Sequence, residues 1–576
     1  RYSINDGLDE SVGEASQPGL RQALLDTDPA TAFDPFLNPQ ARNTRGARSQ
    51  VYVNLQNTGQ YELPIGYGTF NGDLFNLPAG PVSFAIGGEY DAPRLDRVRD
   101  PLNNTFQSIG STDGQSYRVN RDIWGIYEEV RVPFTSPTWN FWGFYSFEVD
   151  FAEREEWYSQ NTNTVLVPFV PATSTRYNAQ RPKISLRWQP LDPKYIGAVT
   201  LRGSYTEAFH APTLSELAPA GTQNFPIVTD PFTVTNPPAF RTPPQIEERI
   251  AGNPDLHPEV AYEWTYGIVY SPKWLKGLTL SADYWHIDMR DIISPLGAQF
   301  IIDQNNPALV TRAAPPPGGV FGPVSLVLDP SENLSGAIFE GIDYEAIYIL
   351  DSTMFGGSDW GRITTTINGT HLDQAEFQPT PDSKRFGIAG SFLPTGFALS
   401  NSLPWDRANG SIFYDGPADT WAGGFDIGTV VHWTGQYEDD NVSLTGASKF
   451  QEPRSGPLDF LARKVSDYTT LDLILNYTFN LPPPAPAEVP GYAKDGGKNV
   501  TSGKDGKEKN VVPVSTAEYG CRDWKWWLNN ATVTLGMQNV FDEAPPFVAG
   551  AFENGYDESI ATIKGRFWYV GIKKRF

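Results

Sequence analysis

Residues 565–576 read GRFWYVGIKKRF. Trp568, Val570, Ile572 and Phe576 fall on one side of an extended chain, and Phe567, Tyr569, Lys573 and Arg575 on the other. Successive strand side chains point to opposite faces, so the alternation predicts a strand and not a helix. The last residues of a soluble domain are usually frayed and polar. An alternating row that ends on an aromatic predicts instead a terminus held within a sheet.

The same pattern recurs along the chain. In AVTLRGSYTE (198–207), Val199, Leu201, Gly203 and Tyr205 alternate with Thr200, Arg202, Ser204 and Thr206. TLDLILNYTF (470–479) sets Leu471, Leu473, Leu475, Tyr477 and Phe479 against Asp472, Ile474, Asn476 and Thr478. Aromatics make up 13% of the 576 residues, which fits an all-β chain rich in short strands. No apolar run reaches the roughly 18 residues of a membrane-spanning helix. A closed barrel also satisfies its backbone in lipid, with strands of about 9–11 residues. The net charge of −23 argues against nucleic acid, whose phosphates call for Lys and Arg. With one cysteine, Cys521, no internal disulfide can form.

Alternation alone does not separate a soluble sandwich from a barrel, but the connections do. Short ones such as LPAGP (77–81), QPLDPKYIG (189–197) and SPKWLKG (271–277) alternate with long ones near 7–60, 91–120, 151–178, 209–258, 290–334, 374–400, 437–466 and 541–564. Long loops at one end and tight turns at the other fit an outer-membrane barrel with long extracellular loops and short periplasmic turns. Counting back from Phe576 as the periplasmic end predicts a transmembrane antiparallel β-barrel with about 16 strands in residues 1–576. Residues 481–528 break the rule: rich in Pro, Gly and Lys, they read as a flexible periplasmic insertion. The alternative reading of 481–528 is a dock for periplasmic protein partners or for peptidoglycan.

Several segments in chain order resemble the barrel of TonB-dependent receptors, the active transporters of Gram-negative outer membranes. They are FNLPAGPVSFAIGGEYD (75–91), LRGSYTEAFHAPTLSELAP (201–219, with His210 where the family usually has Arg), GNPDLHPEVAYEWTYGIVY (252–270), GAIFEGIDYEA (336–346), LGMQNVFDEAPP (535–546) and the closing GRFWYVGIKKRF. The resemblance implies a 22-stranded barrel around an N-terminal plug. Residues 1–576 show neither the plug nor its TonB-binding box, so the expectation is a partial barrel lacking the plug and about six strands. It implies TonB-dependent uptake of a scarce nutrient such as a siderophore, oligosaccharide, peptide or cobalamin. The TonB complex would be a partner through the plug, and surface proteins are further candidate partners. It also implies that the assembly machinery reads Phe576. A passive porin or structural outer-membrane protein is the alternative, and a soluble β-sandwich module a third reading.

Candidate ligand residues lie in the long loops: His210 and His257 at the two ends of one, and Glu438, Asp439 and Asp440 in another. External carboxylates, including the EREE run at 153–156, could hold Ca²⁺ or meet lipopolysaccharide through divalent ions, although solvated loop acids are the simpler expectation. Trp124, Trp142, Trp188, Trp264, Trp285 and Trp433 near strand ends suit interfacial belts. Trp568, Val570, Ile572 and Phe576 would face lipid, with Lys574 reaching water at the periplasmic edge. No nucleophile–base set, metal-ligand spacing or phosphate loop points to an enzyme.

Overall fold

The computed structural model describes residues 1–37, 42–110, 112–165, 170–354, 356, 358–392, 402–417, 420–439, 463–481, 523–548, 551 and 555–575. Its main element is a single 19-stranded sheet. Each long strand pairs antiparallel with the next in sequence, from Tyr2–Ser16 against Tyr52–Leu77 to Ala531–Gln538 against Phe567–Lys574. Three members, Arg94–Val98, Ser108–Ile109 and Phe386–Gly387, are short additions beside longer neighbours. No helix among the described residues is long and apolar enough to cross a membrane.

The connections sort as the sequence predicts. Only Pro78 and Ala79 separate Tyr52–Leu77 from Gly80–Asp91, and short turns join Thr173–Gln189 to Gly197–His210 and Glu259–Pro272 to Leu278–Ser294. The opposite end carries the connections from Ser16 to Tyr52, His210 to Glu259 and Ser294 to Glu332. The insertion leaves the sheet after Thr478, at the short-turn end, and residues 482–522 lie outside the described residues.

The strands outrun the expected loops. Tyr117–Thr135 and Ser146–Thr164 are 19 residues each, roughly 60 Å at a rise of about 3.3 Å per residue. That is longer than the hydrocarbon layer requires, so the wall continues beyond it. Residues 151–164 and 173–178 are therefore strand and not loop, and much of 7–60 is also strand, through Ser16 and again from Tyr52. The EREE run lies within the sheet: Arg154 and Glu156 share one face, Glu153 and Glu155 the other.

Register keeps one face apolar across strand after strand. Phe151 lies opposite Ile184, Leu201 opposite Ile268, Ala346 opposite Ile367, and Ile427, Leu475, Leu535 and Val570 follow one another across four strands. Leu201, Ala346 and Leu475 are half-buried and the rest exposed; on the closing strand Val570 is 71% and Ile572 80% accessible. An exposed belt of this extent has lipid as its solvent. The other face is polar. Arg202 and Asp283 meet at 2.5–2.6 Å across the intervening strand, because Gly267 between them has no side chain. A Cβ on Gly267 would sit 1.8 Å from the Asp283 carboxylate. Aromatic rings likewise lie over paired glycines: Tyr127 on Gly87, Phe413 on Gly428 and Tyr569 on Gly536. Each ring covers backbone that a bare glycine would leave exposed.

The closing strand is placed as its alternation predicts, with Trp568, Val570 and Ile572 opposite Met537, Leu535 and Val533. Phe576 lies outside the described residues. The Lys574 ammonium is not free in water: it donates to the carbonyls of Trp526 and Asn529 in the turn below, over the Trp526 ring. Trp285 is not a belt residue either, because it turns to the polar face over Gly341. Among the described residues no ladder joins Tyr2–Ser16 to Phe567–Lys574.

The two faces give a direct test. Ile367 is half exposed on the apolar face and Thr366 faces the other way. Ile367→Arg should cost about 2–4 kcal/mol, as charges do at the midplane of such barrels. Thr366→Arg should cost far less. Heat-modifiable migration in gel electrophoresis checks both variants.

Candidate ligand-binding site

The long-loop end holds its own cores. Segment 211–258 folds back so that Leu214, Leu217, Ala218 and Leu256 pack on Tyr117 and Val119 of the wall. Arg121 fixes this seam. Its guanidinium donates to Gln160 at 3.1–3.2 Å and to the carbonyl of Pro212, and lies 5.5 Å from the Tyr158 ring, which stacks on Tyr177. Below it, Arg154 pairs with both Glu89 and Glu156. The inner wall is thus lined by paired charges, here with one acid in excess of its arginine.

Two separate loops join above this wall. Gly221–Asn224 and Glu247–Ala251 come from segment 211–258, and Val310–Arg312 and Val324–Pro330 from segment 295–331. They make one four-stranded sheet whose central seam is the parallel pairing of Glu247–Ala251 with Val324–Pro330. Val228, Ile246, Ile301, Ile302, Val310 and Val327 form its core, with the helix Ala298–Gln304 packed among them.

Two buried polar pairs lock the loops together. Arg312 makes a two-pronged ion pair with Asp230 at 2.6 and 3.1 Å, and Thr233 and Thr242 also donate to Asp230. Burial alone would raise the Asp230 carboxyl, but bonds from Arg312, Thr242, Phe232 and Thr233 hold it below the usual range. The second pair is two acids. Asp329 is fully buried and Glu248 3% accessible. Asp329 accepts from the backbone N–H groups of Leu296 and Gly297 at 2.9 and 2.8 Å, and Asn224 donates to Glu248 at 2.8 Å. Burial and the neighbouring Glu248 push Asp329 up to about 7, against the pull of those two N–H groups.

The residues singled out in the sequence fall elsewhere. His210 ends its strand and approaches Glu259 at 3.2 Å. His257 is clasped at its backbone by Asn333, which accepts from its N–H at 3.0 Å and donates to its carbonyl at 2.8 Å. Each is engaged by a different partner. Glu438 and Asp439 belong to a three-stranded sheet with Ser391–Phe392 and Arg463–Val465, and Asp439 is buried there, not solvated; Asp440 lies outside the described residues. No group of three or more potential metal ligands occurs among the described residues. Asp230, Glu248, Arg312 and Asp329 carried no motif, because their partners lie up to 82 residues away in sequence.

Across residues 2–493 the sequence matches the family model described as TonB dependent receptor-like, beta-barrel. The chain belongs to this family. A TonB-dependent receptor barrel is a bacterial outer-membrane protein, which accounts for the apolar belt and the sorted loops. No curated protein matches the receptor chain in sequence. Similar solved structures include the ferric enterobactin receptor PfeA of Pseudomonas aeruginosa, 14% identical, TM-score 0.44, with 92% of this chain and 64% of that one covered. The siderophore receptor PirA of Acinetobacter baumannii is 14% identical, TM-score 0.43, covering 100% and 69%. The ferric-catecholate import receptor Fiu of Escherichia coli is 10% identical, TM-score 0.47, covering 99% and 60%. The receptor chain therefore spans less than two-thirds of the length of PfeA and of Fiu.

The Asp329–Glu248 pair makes the stability of the loop sheet depend on pH. The folded carboxyl binds its proton more tightly than the unfolded one, so stability is fully present below about pH 4 and is lost as pH rises through about 7. Amides of Val324–Pro330 should show less protection from hydrogen exchange at pH 8 than at pH 5.5, after correction for intrinsic rates. Asp329→Asn should flatten that difference.

Proposed function

We propose that the chain is the wall and loop region of a TonB-dependent transporter that takes a scarce nutrient across the outer membrane. One observation supports this above the others: two long loops are joined into a single cored sheet standing over a polar, charge-paired inner wall. Such a cap is suited to capturing a solute outside and presenting it to the lumen. A passive pore needs no joined, cored loops of this kind.

Energy for release would come from the inner-membrane TonB complex, acting through a plug within the barrel. PirA is a siderophore receptor and Fiu a ferric-catecholate import receptor; for this chain a ferric chelate is one cargo to try, beside oligosaccharide, peptide and cobalamin. The assembly machinery, reading the last aromatic Phe576, and outer-leaflet lipopolysaccharide complete the proposed partners.

The test uses cells lacking their own receptors and expressing the full-length protein, with a ferric catecholate, ferric citrate, maltodextrins and cobalamin as labelled solutes. Uptake of one of them should require TonB and the proton gradient, and the purified protein should not conduct steadily in a planar bilayer. Equal uptake with and without TonB, together with steady conductance, would replace the transporter by a porin.

A further inference from the structure

The two joined loops enclose a cleft of about 410 Å³ at the long-loop end. Phe232 from one loop and Phe321 from the other form its floor, with ring centroids 5.1 Å apart and planes at 59°. Behind them the Arg312 guanidinium lies 5.5 and 5.4 Å from the two ring centres. Its charge is already taken by Asp230. Pro237 lines it from one loop, Pro316 and Pro317 from the other. Asn236 clasps the rims, donating at 3.2 Å to the carbonyls of Phe240 and Phe321.

The lining fixes the chemistry of what can enter. None of its ten residues is ionisable. An anion would give up hydration with only Arg241 at the edge to offset it, and that guanidinium already donates to the Asn236 carbonyl at 3.0 Å. A ligand cation would compete with Arg312 for the same rings. Hydrogen-bond donors are also scarce. Three lining residues are prolines, which have no N–H. The N–H groups of Phe232, Asn236 and Gly319 are used internally, on Asp230, Thr233 and Pro316. Four lining carbonyls, of Asn236, Pro237, Pro316 and Phe321, also accept internally, so the rim offers both carbonyl acceptors and a few N–H and hydroxyl donors. A proline-rich peptide, itself poor in donors, matches this poorly. A sugar matches it well: its hydroxyls donate to the carbonyls while a C–H face rests on a ring. The prolines hold φ fixed, so little ordering cost remains on binding.

We propose that this cleft binds a neutral saccharide, the first contact of the cargo with the receptor. Its place in uptake rests on the transport reading above; binding itself does not. The experiment is calorimetry on the detergent-solubilised full chain, with maltoheptaose, cellopentaose, laminarihexaose and xylohexaose, and with a sulfated maltoheptaose as the anionic control. At least one neutral saccharide should bind and the sulfated one should not. Phe321→Ala should weaken binding by about five- to tenfold, the worth of one ring contact. Thr235 is exposed on the rim, so Thr235→Lys leaves the floor intact and should shift preference toward the sulfated ligand. Hydrogen exchange in Val324–Pro330 monitors whether the sheet survives each change.

No binding by any of the four neutral saccharides overturns the proposal. So does tighter binding of the sulfated ligand by the unaltered protein, or binding indifferent to both substitutions. TonB-dependent uptake of a solute that ignores both substitutions would remove the site and keep the transporter. Saccharide binding sensitive to both, with no energised uptake, would do the reverse.

Discussion

Inside a bilayer no water is available to hydrogen-bond a peptide group, and an unpaired N–H or C=O there costs several kcal/mol. The architecture follows from that constraint. Long strands must pair with neighbours along the whole hydrocarbon depth, and the ladders of Ser146–Thr164 and Thr173–Gln189 run unbroken from Ser146 to Thr162. Once the ladder is fixed, the alternation of side chains is fixed with it. One face must then suit lipid and the other the lumen. The apolar residues of the wall are consequently exposed and not buried, and the packed apolar clusters lie where water returns, chiefly in the loops. This is the reverse of a soluble sandwich, whose apolar faces meet in the middle.

The same constraint explains what could be read in advance. In the closing strand, Trp568, Val570 and Ile572 sit on a face that lipid selects, so alternation, strand and orientation were all legible from residues 565–576 alone. Strand ends were not. Beyond the membrane both faces meet water, and selection for alternation stops although the hydrogen-bonded ladder continues. Residues 153–164, EREEWYSQNTNT, look like loop in sequence and are strand in the structure. Trp285 misleads for a related reason: a belt position and a ring packed over Gly341 look alike without the register.

The loop site was legible only as an address. Segments 209–258 and 290–334 were recognisable as long loops, but nothing local shows that they pair with each other. Their sheet rests on a parallel ladder between residues about eighty positions apart, closed after two long excursions of chain. The histidines drew notice because of their chemistry. In the structure the His210 ring lies against Glu259, and at His257 it is the backbone that Asn333 engages. Conversely, Asp230 and Arg312 look like ordinary loop charges in sequence, and burial alone makes them a lock.

Buried pairs of this kind are weak sources of net stability, since desolvation offsets much of the attraction. Their effect here is to select an arrangement. Arg312 can satisfy its donors only when Asp230 of the other loop is in place, and Asp329 caps Leu296 and Gly297 only when its own strand lies beside Glu248. Loops locked in this way present a cleft of fixed shape, with one consequence for charge. The chain carries a net charge of −23, yet the charges near the cleft and along the inner wall are largely spent on one another: Arg312 on Asp230, Arg154 on Glu89 and Glu156, Arg202 on Asp283. Apart from Arg241, held at the edge on the Asn236 carbonyl, the field at the cleft is set by carbonyl dipoles and ring faces, and those are the groups that distinguish a hydroxyl-rich ring from an anionic chelate.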